Sequence, residues 1–322
     1  MGVPAISTVE EAWTLRNSDR AAVRSASEAL LSSADVDLRA AALAKVVLSY
    51  LDYRERRYEQ AAAAGLEALA ILEVNPTDPW LPRLYNTLAI IHFDLGERDT
   101  SRTYLDQQIR LSYELGDCTY EALGYHDLGL LQAAVDPRRG LATLAQARTM
   151  FRASDDAENE ALVLYNMANI HQHAGERKLA ASYAGQALEI LGASGTQGMR
   201  LYLTIHIATL KAEAASALGL HSEAQGLLDE ARALAAHHCP ELMAHVQFCQ
   251  GLHLTAIGDN TGALALFQDA LALIAPSGQY ELLADCHAAL ADCHERLGVP
   301  TWLEAMRTER STSWPPTAKR TV

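Results

Sequence analysis

Glycines recur along this chain at almost fixed intervals. The recurring glycines are Gly96, Gly175, Gly219, Gly258 and Gly298. The gaps between them are 79, 44, 39 and 40 residues, and the midpoint of the first, double-length gap falls on Val135-Asp136-Pro137, another turn signal. A period of about 40 residues is typical of stacked repeat proteins, in which each unit packs only on its neighbours. The spacing therefore predicts one array of repeated units and argues against an enzyme built around a single pocket.

Each repeat unit consists of a first amphipathic stretch, a Gly-polar turn and a second amphipathic stretch. The clearest units begin at Tyr85, Leu164 and Val246, and their apolar residues return at steps of three and four, which is the helical period. Glycine ends the first helix because it tolerates the left-handed conformation there. Small residues stand five and twelve positions after the glycines, at Ala180, Ala187, Ala224, Ala231, Ala263 and Ala270. We therefore predict a series of helical hairpins in which alanines let neighbouring helices approach closely.

Counting weaker units at both ends gives about eight hairpins over residues 1–311. The first hairpin is expected to turn at Asn17-Ser18-Asp19 and the last at Gly298, with a second helix near residues 301–311. The loosest connector spans residues 192–198, so it is a candidate hinge between subarrays 1–191 and 199–311. A plain longer loop is the alternative, since added loop length costs little. The tail, residues 312–322, is expected to be disordered.

At these positions the chain resembles the tetratricopeptide repeat (TPR) family, in the long-repeat form of bacterial regulatory proteins. The residues that carry the resemblance are Tyr85, Leu88 and Ala89; Tyr125, Leu128 and Gly129; Met167 and Ala168; Gly175, Ala180 and Ala187; and Gly258, Ala263, Phe267 and Ala270. The usual unit has about 34 residues, so the helices or connectors here are longer. The resemblance implies an all-α, right-handed α-solenoid, a TPR-like superhelix, and it implies protein or peptide binding rather than catalysis.

In TPR proteins the first helix of each hairpin lines the concave face, and the resemblance implies which positions before each turn face inward. Carried over position by position, the candidate partner-binding residues are Arg83, Asn86, Phe93, His126, Asn166, Asn169 and His173. Side-chain amides can hold an extended peptide by its backbone, so we expect the three asparagines to contact the backbone of a bound peptide or helix. The alternative is that they cap or bridge neighbouring helices, because most side-chain hydrogen bonds in proteins are made to backbone or water.

Histidine patterns bear on catalysis and metal binding. His126 and Asp127 are adjacent, so their side chains are expected to point in different directions on a helix. A second pattern could share a metal, since imidazole and thiolate at four-residue spacing can form zinc sites. Its members are His245, Cys249, His253, Cys286 and Cys293. Cysteine is also a common small core residue, and packing is the alternative. The sequence contains no P-loop, GxGxxG, HExxH or GxSxG motif, so no cofactor and no catalytic residue is predicted.

The net charge limits the classes of partner that the chain can bind, and its cysteine usage indicates the cellular compartment. The formal net charge of −14 argues against a nucleic-acid backbone or an anionic membrane as the main partner. Five cysteines without a CxxC spacing, and an N-terminus without signal-peptide regions, favour a cytoplasmic protein. The leading hypothesis is a non-catalytic protein- or peptide-binding scaffold or adaptor in bacterial regulation, and self-association into a homo-oligomer stays open. The alternative is a peptide-responsive sensor whose superhelix changes on ligand binding; a metal-binding protein is the third hypothesis.

Overall fold

A computed structural model describes residues 8–17, 19–33, 35–192, 199–274 and 280–298. These residues form fifteen α-helices and one 3₁₀ turn, with no strand among them, which confirms the all-α prediction. In chain order the helices are α1 (Val9–Leu15), α2 (Arg20–Leu31), α3 (Leu38–Arg54), α4 (Tyr58–Leu72), α5 (Leu81–Asp94), α6 (Arg98–Leu115), α7 (Cys118–Ala133), α8 (Pro137–Ala153), α9 (Ala157–His173), α10 (Arg177–Leu191), α11 (Met199–Ala217), α12 (His221–His238), α13 (Met243–Ala256), α14 (Asn260–Ile274) and α15 (Tyr280–Arg296); the 3₁₀ turn is Pro240–Leu242.

Consecutive helices pair as hairpins. Within the two units described below, six pairs pack as hairpins, namely α1/α2, α3/α4, α5/α6, α7/α8, α11/α12 and α13/α14, and α15 packs on α14. Backbone contacts divide the chain into two compact units, residues 1–170 (unit 1) and 171–322 (unit 2), with the division inside α9. Of the proposed hinge at 192–198 only Gly192 is described; the rest of the hinge, the second helix at 301–311 and the tail at 312–322 lie outside the described residues. The division into subarrays 1–191 and 199–311 therefore stays a prediction.

The recurring glycines are the turn residues of the hairpins. All five have a positive φ, from 70° at Gly298 to 87° at Gly258. In the turn at Gly96, the N–H of Glu97 donates to the carbonyl of His92, five residues earlier, over 2.8 Å. This is the bond that closes a helix in the Schellman motif, and it needs a left-handed residue just before the donor. The period seen in the sequence is thus the period of this backbone geometry.

Non-glycine residues occupy the same geometry in two turns. Arg56, forty positions before Gly96, has φ 60°, and Asp155, between α8 and α9, has φ 54°. The turn at the midpoint of the long gap is different: Asp136 N–H donates to the carbonyl of Gln132, four residues earlier, and the Asp136 carboxylate accepts from the N–H groups that begin α8. An aspartate N-cap followed by proline makes this turn without a left-handed residue.

The alanines after each turn are packing residues, as predicted. Each of the six has no exposed surface. Small residues on one helix also meet large ones on the next: a methyl group added at Gly251, in α13, would come within 2.5 Å of the ring of Phe267, in α14. Close approach of this kind gives the hairpins their packing density. Among the described helices, none is both long and apolar enough to cross a membrane.

Candidate functional site

Polar side chains link three successive first helices in unit 1. Nδ2 of Asn86, in α5, donates to Oδ2 of Asp127, in α7, over 2.6 Å. Oδ1 of Asp127 lies 2.8 Å from Nδ1 of His126, the residue before it. Nε2 of that histidine lies 2.8 Å from Nδ2 of Asn166, in α9. We call this chain of four side chains the polar ladder. Its geometry fits a neutral imidazole that carries its proton on Nδ1 and accepts from Asn166 on Nε2.

The ladder follows the repeat register. Asn86 stands ten positions before the turn at Gly96, and its partner Asp127 stands nine positions before the turn at Asp136. In the next pair, His126 stands ten positions before Asp136, and its partner Asn166 stands nine positions before Gly175. Position minus ten of one hairpin thus meets position minus nine of the next, because first helices of adjacent hairpins pack side by side. The expectation that His126 and Asp127 point in different directions is wrong: residues one apart diverge on a helix, but a ring nitrogen and a carboxylate bend back far enough to meet.

The predicted asparagines are placed differently within unit 1. Asn86 and Asn166 bridge neighbouring helices, and both side chains are partly exposed. Their carbonyl oxygens Oδ1 have no hydrogen-bond partner among the described residues, so each keeps an open acceptor. Asn169 stands one turn after Asn166 on the same face of α9. Its amide makes no hydrogen bond within the described part of the chain and is partly exposed.

An apolar pocket adjoins the ladder. It has a volume of about 60 Å³ and lies between α5, α6 and α7. Its lining residues are Ala89, Ile90, Phe93, Ser101, Leu105, Asp127 and Leu130. Phe93, a predicted site residue, is 38% exposed at its edge, and Asp127 is shared with the ladder. The pocket is large enough for a small aliphatic group and has few polar atoms to hold water.

The other two predicted residues lie apart from the ladder. Arg83 is engaged within unit 1: its Nη1 donates to the carbonyl of Pro79 over 2.7 Å, and its guanidinium stands over the rings of Trp80 and Tyr120. His173 is exposed at the end of α9, in unit 2. Sequence reasoning left Asp127 out of the site, although the 41-residue spacing from Asn86 was the signal that could have found it.

The hairpin architecture is shared with solved structures. The apo form of the quorum sensor NprR from B. thuringiensis superposes with a TM-score of 0.72 at 13% identity, over 94% of this chain and 84% of that one. NprR in complex with its cognate peptide NprX superposes with a TM-score of 0.62 at 12% identity, over 95% of this chain and 88% of that one. A signal transduction ATPase with a tetratricopeptide repeat sensor, from Pyrococcus horikoshii, superposes with a TM-score of 0.67 at 18% identity over 94% of this chain. The match covers only 46% of the length of that ATPase. The fold is of the TPR type. No protein-family model and no curated protein matches the sequence.

The histidines and cysteines of unit 2 take separate partners. Nε2 of His245 lies 3.1 Å from Oγ1 of Thr209 and 3.9 Å from Sγ of Cys249, whereas Nδ1 of His253 lies 2.9 Å from Oγ of Ser216. Burial raises the pKa of Cys249 to about 12, and a metal requires the thiolate. No group of three or more potential ligands converges among the described residues. The geometry gives the metal-binding hypothesis no support, and these side chains pack the core.

Two half-buried imidazoles also lie side by side in unit 2. The ring of His206, in α11, lies 4.8 Å from that of His245, in α13, and 4.6 Å from that of Tyr202. Burial and the neighbouring His245 lower the pKa of His206 to about 3, and burial lowers the pKa of His245 as well. Both rings are therefore neutral at pH 7 and contribute packing rather than charge.

Proposed function

We propose that the chain is a peptide-responsive sensor without catalytic activity, and that a peptide or extended protein segment binds at the polar ladder of unit 1. The observation that carries the proposal is the pairing of open amide acceptors with an apolar pocket that shares α5 and α7 with the ladder. An extended peptide presents a backbone N–H and a side chain at regular intervals. The amides of the ladder offer acceptors for the backbone N–H groups, and the adjoining pocket offers an apolar site for the side chain.

Each part of the site has a distinct role in this proposal. Oδ1 of Asn86 and Oδ1 of Asn166 accept backbone N–H groups, and the uncommitted amide of Asn169 both donates and accepts. The pocket beside Phe93 takes one aliphatic side chain, and burial of that chain supplies most of the affinity. Asp127 is already committed to two donors, so it fixes the amides rather than binding the ligand.

A sensor fits this arrangement better than a rigid scaffold. The amides that would receive the peptide are also the links between α5, α7 and α9, so a ligand that rotates Asn86 or Asn166 changes the spacing of three hairpins. The solved NprR structures, with and without a cognate peptide, are of the same fold, which supports a peptide as the ligand class. The net charge of −14 supports a peptide or protein partner over a nucleic acid.

A randomised library of short linear peptides, selected on the purified chain, tests the proposal. The selected peptides should lose at least roughly fivefold in affinity on Asn169→Ala and on Phe93→Ala, since a buried hydrogen bond or an apolar anchor contributes about 1 kcal/mol or more. Gln146→Ala, an exposed amide on the second helix α8, and Tyr113→Ala, an exposed ring on α6, are the matched controls. Binding that tolerates both ladder-side variants would place the ligand elsewhere.

Solution scattering distinguishes a sensor from a scaffold. A selected peptide at saturating concentration should change the radius of gyration of the wild-type chain, and Asn169→Ala should abolish the change at the same concentration. A ligand-bound chain with the scattering curve of the free chain would instead favour the scaffold, because a rigid array binds without rearrangement.

A further inference from the structure

The apolar pocket of unit 1 contains one polar side chain that the fold does not use. Ser101, near the start of α6, lines this pocket and is only 1% exposed. Its hydroxyl makes no hydrogen bond within the described part of the chain. The other polar residue of the lining, Asp127, is engaged by Asn86 and His126. A buried hydroxyl without a partner costs free energy, so Ser101 is either tolerated at a cost or kept for a ligand.

Other hydroxyls in these helices bond to the backbone carbonyl four residues earlier. Oγ of Ser27 donates to the carbonyl of Val23 over 2.9 Å, and Oγ1 of Thr103 donates to that of Asp99 over 2.9 Å. Serine and threonine commonly satisfy themselves in this way inside a helix. Ser101 has no such bond, and its hydroxyl therefore remains available to the pocket that it lines.

The repeat register requires only a small side chain at this position. Ser101 stands five positions after the turn at Gly96. The residues five positions after other left-handed turns are alanines without exposed surface, namely Ala61, Ala180, Ala224 and Ala263. An alanine thus meets the packing requirement, and the serine differs from it by one oxygen atom. This oxygen is not needed for the hairpin to pack.

The size of the pocket limits what can enter it. A water molecule occupies about 30 Å³ in the liquid, so a pocket of about 60 Å³ accepts two or three non-hydrogen atoms. The branched ends of valine and of threonine have this size, and longer or aromatic side chains exceed it. Leu105 and Leu130 give the pocket an apolar wall that suits a methyl group. Of the two branched side chains, threonine alone also brings a hydroxyl to Ser101.

We propose that Ser101 makes this pocket prefer a threonine of the bound peptide. The threonine methyl group packs on the apolar wall, and its hydroxyl exchanges a hydrogen bond with Oγ of Ser101, since each hydroxyl can donate and accept. A valine of the same shape would leave Ser101 buried without a partner, and sites that hold an unpaired polar group discriminate against such analogues. The inference rests on the proposed function, because it names the side chain that the peptide site takes.

Replacing threonine by valine in a peptide selected on the purified chain tests the preference. The peptides from the randomised library should share a threonine, and its replacement by valine should weaken binding to the wild-type chain at least about fivefold in fluorescence anisotropy. Ser101→Ala should bind the valine peptide at least as tightly as the threonine peptide, because the threonine hydroxyl then loses its partner. Thr103→Ala, which removes an exposed hydroxyl of the same helix, should keep the wild-type preference.

The peptide site and the role of Ser101 fail in different ways. Peptides that lose affinity on Phe93→Ala and Asn169→Ala, but share no threonine or bind equally well with valine, would overturn the role of Ser101 and leave the peptide site standing. Peptides that are indifferent to Phe93→Ala and Asn169→Ala would refute the peptide site and the role of Ser101 together.

The stability of the free chain gives a second test that needs no peptide. Ser101→Ala should leave the urea midpoint unchanged or raise it, because the variant removes an unpartnered buried group. Ser49→Ala is the comparison: it removes a buried hydroxyl that donates to the carbonyl of Ala61 over 2.7 Å, so it should lower the midpoint. A loss on Ser101→Ala as large as that on Ser49→Ala would show that the hydroxyl of Ser101 is bonded within the fold, which would overturn the proposal.

Discussion

Nδ2 of Asn166 lies 2.8 Å from Nε2 of His126, forty positions earlier on the preceding first helix. The same ring is held by Asp127, which also accepts from Asn86, so the His126–Asp127 pair joins amides on α5 and α9. Every member of this ladder is bonded to a side chain of the adjacent or the same helix. A rotation of the side chain at one end of the ladder can therefore alter the contacts of a side chain two hairpins away, which is the property that a sensor needs.

Asp127→Ala should destabilise unit 1. It leaves the donors of Asn86 and His126 without their acceptor, so the free energy of unfolding should fall by about 1–3 kcal/mol. Urea denaturation followed by circular dichroism measures the change. Asp106→Ala is the matched control, because that aspartate is 59% exposed and pairs only with Arg102 at 3.7 Å, so less than about 0.5 kcal/mol is expected. Equal effects of the two variants would mean that the ladder does not stabilise the fold.

Arg56→Gly and Asp155→Gly should each stabilise the chain. Both residues have a positive φ that costs a side chain with a Cβ about 1 kcal/mol and costs glycine little. The gain should be about 0.5–1 kcal/mol in the urea midpoint analysis. Gly96→Ala, at φ 81° with open space around it, should lose a similar amount for the same reason. A loss on Asp155→Gly would show that its carboxylate contributes more than the backbone strain costs.

Gly251→Ala and Gly226→Ala should have opposite effects in unit 2. A Cβ at Gly251 would meet the Phe267 ring at 2.5–2.8 Å, so overpacking should lower stability by about 1–3 kcal/mol. A Cβ at Gly226, within α12, meets nothing within 4 Å, so the higher helix propensity of alanine should raise stability by about 0.5–1 kcal/mol. Thermal melts of the two variants check the sign. Two losses would refute the close packing of α13 on α14.

Stability of unit 2 should fall as the pH is lowered. The pKa of His206 is about 3 in the folded chain, below its ordinary value of 6.5, so the unfolded state binds more protons between those pH values. The free energy of unfolding should therefore decrease below pH 6.5, by about 2 kcal/mol between pH 7 and pH 5 from this residue. His206→Gln should show a shallower pH dependence by that amount. A wild-type slope in His206→Gln would contradict the lowered pKa of this ring.

The hairpins were predictable because they depend on local chemistry. The glycine turns and the alanines at fixed offsets are set by backbone conformation and side-chain size, which the sequence states directly. The partners of Asn86 and Asn166 were not predictable in the same way. Their bonds depend on how adjacent first helices are aligned along their axes, and a shift of one turn would give each amide a different neighbour.

The sequence by itself determined the helical hairpins and the turn geometry at Gly96 and its equivalents, since both follow from residue type and spacing. The tertiary structure alone decided that His126 joins Asn166, that His245 and His253 have different partners, and that Trp13 reaches Tyr120. These contacts join residues between 36 and 107 positions apart. Only the packing of whole helices fixes such distances, because no local preference of the chain reaches that far.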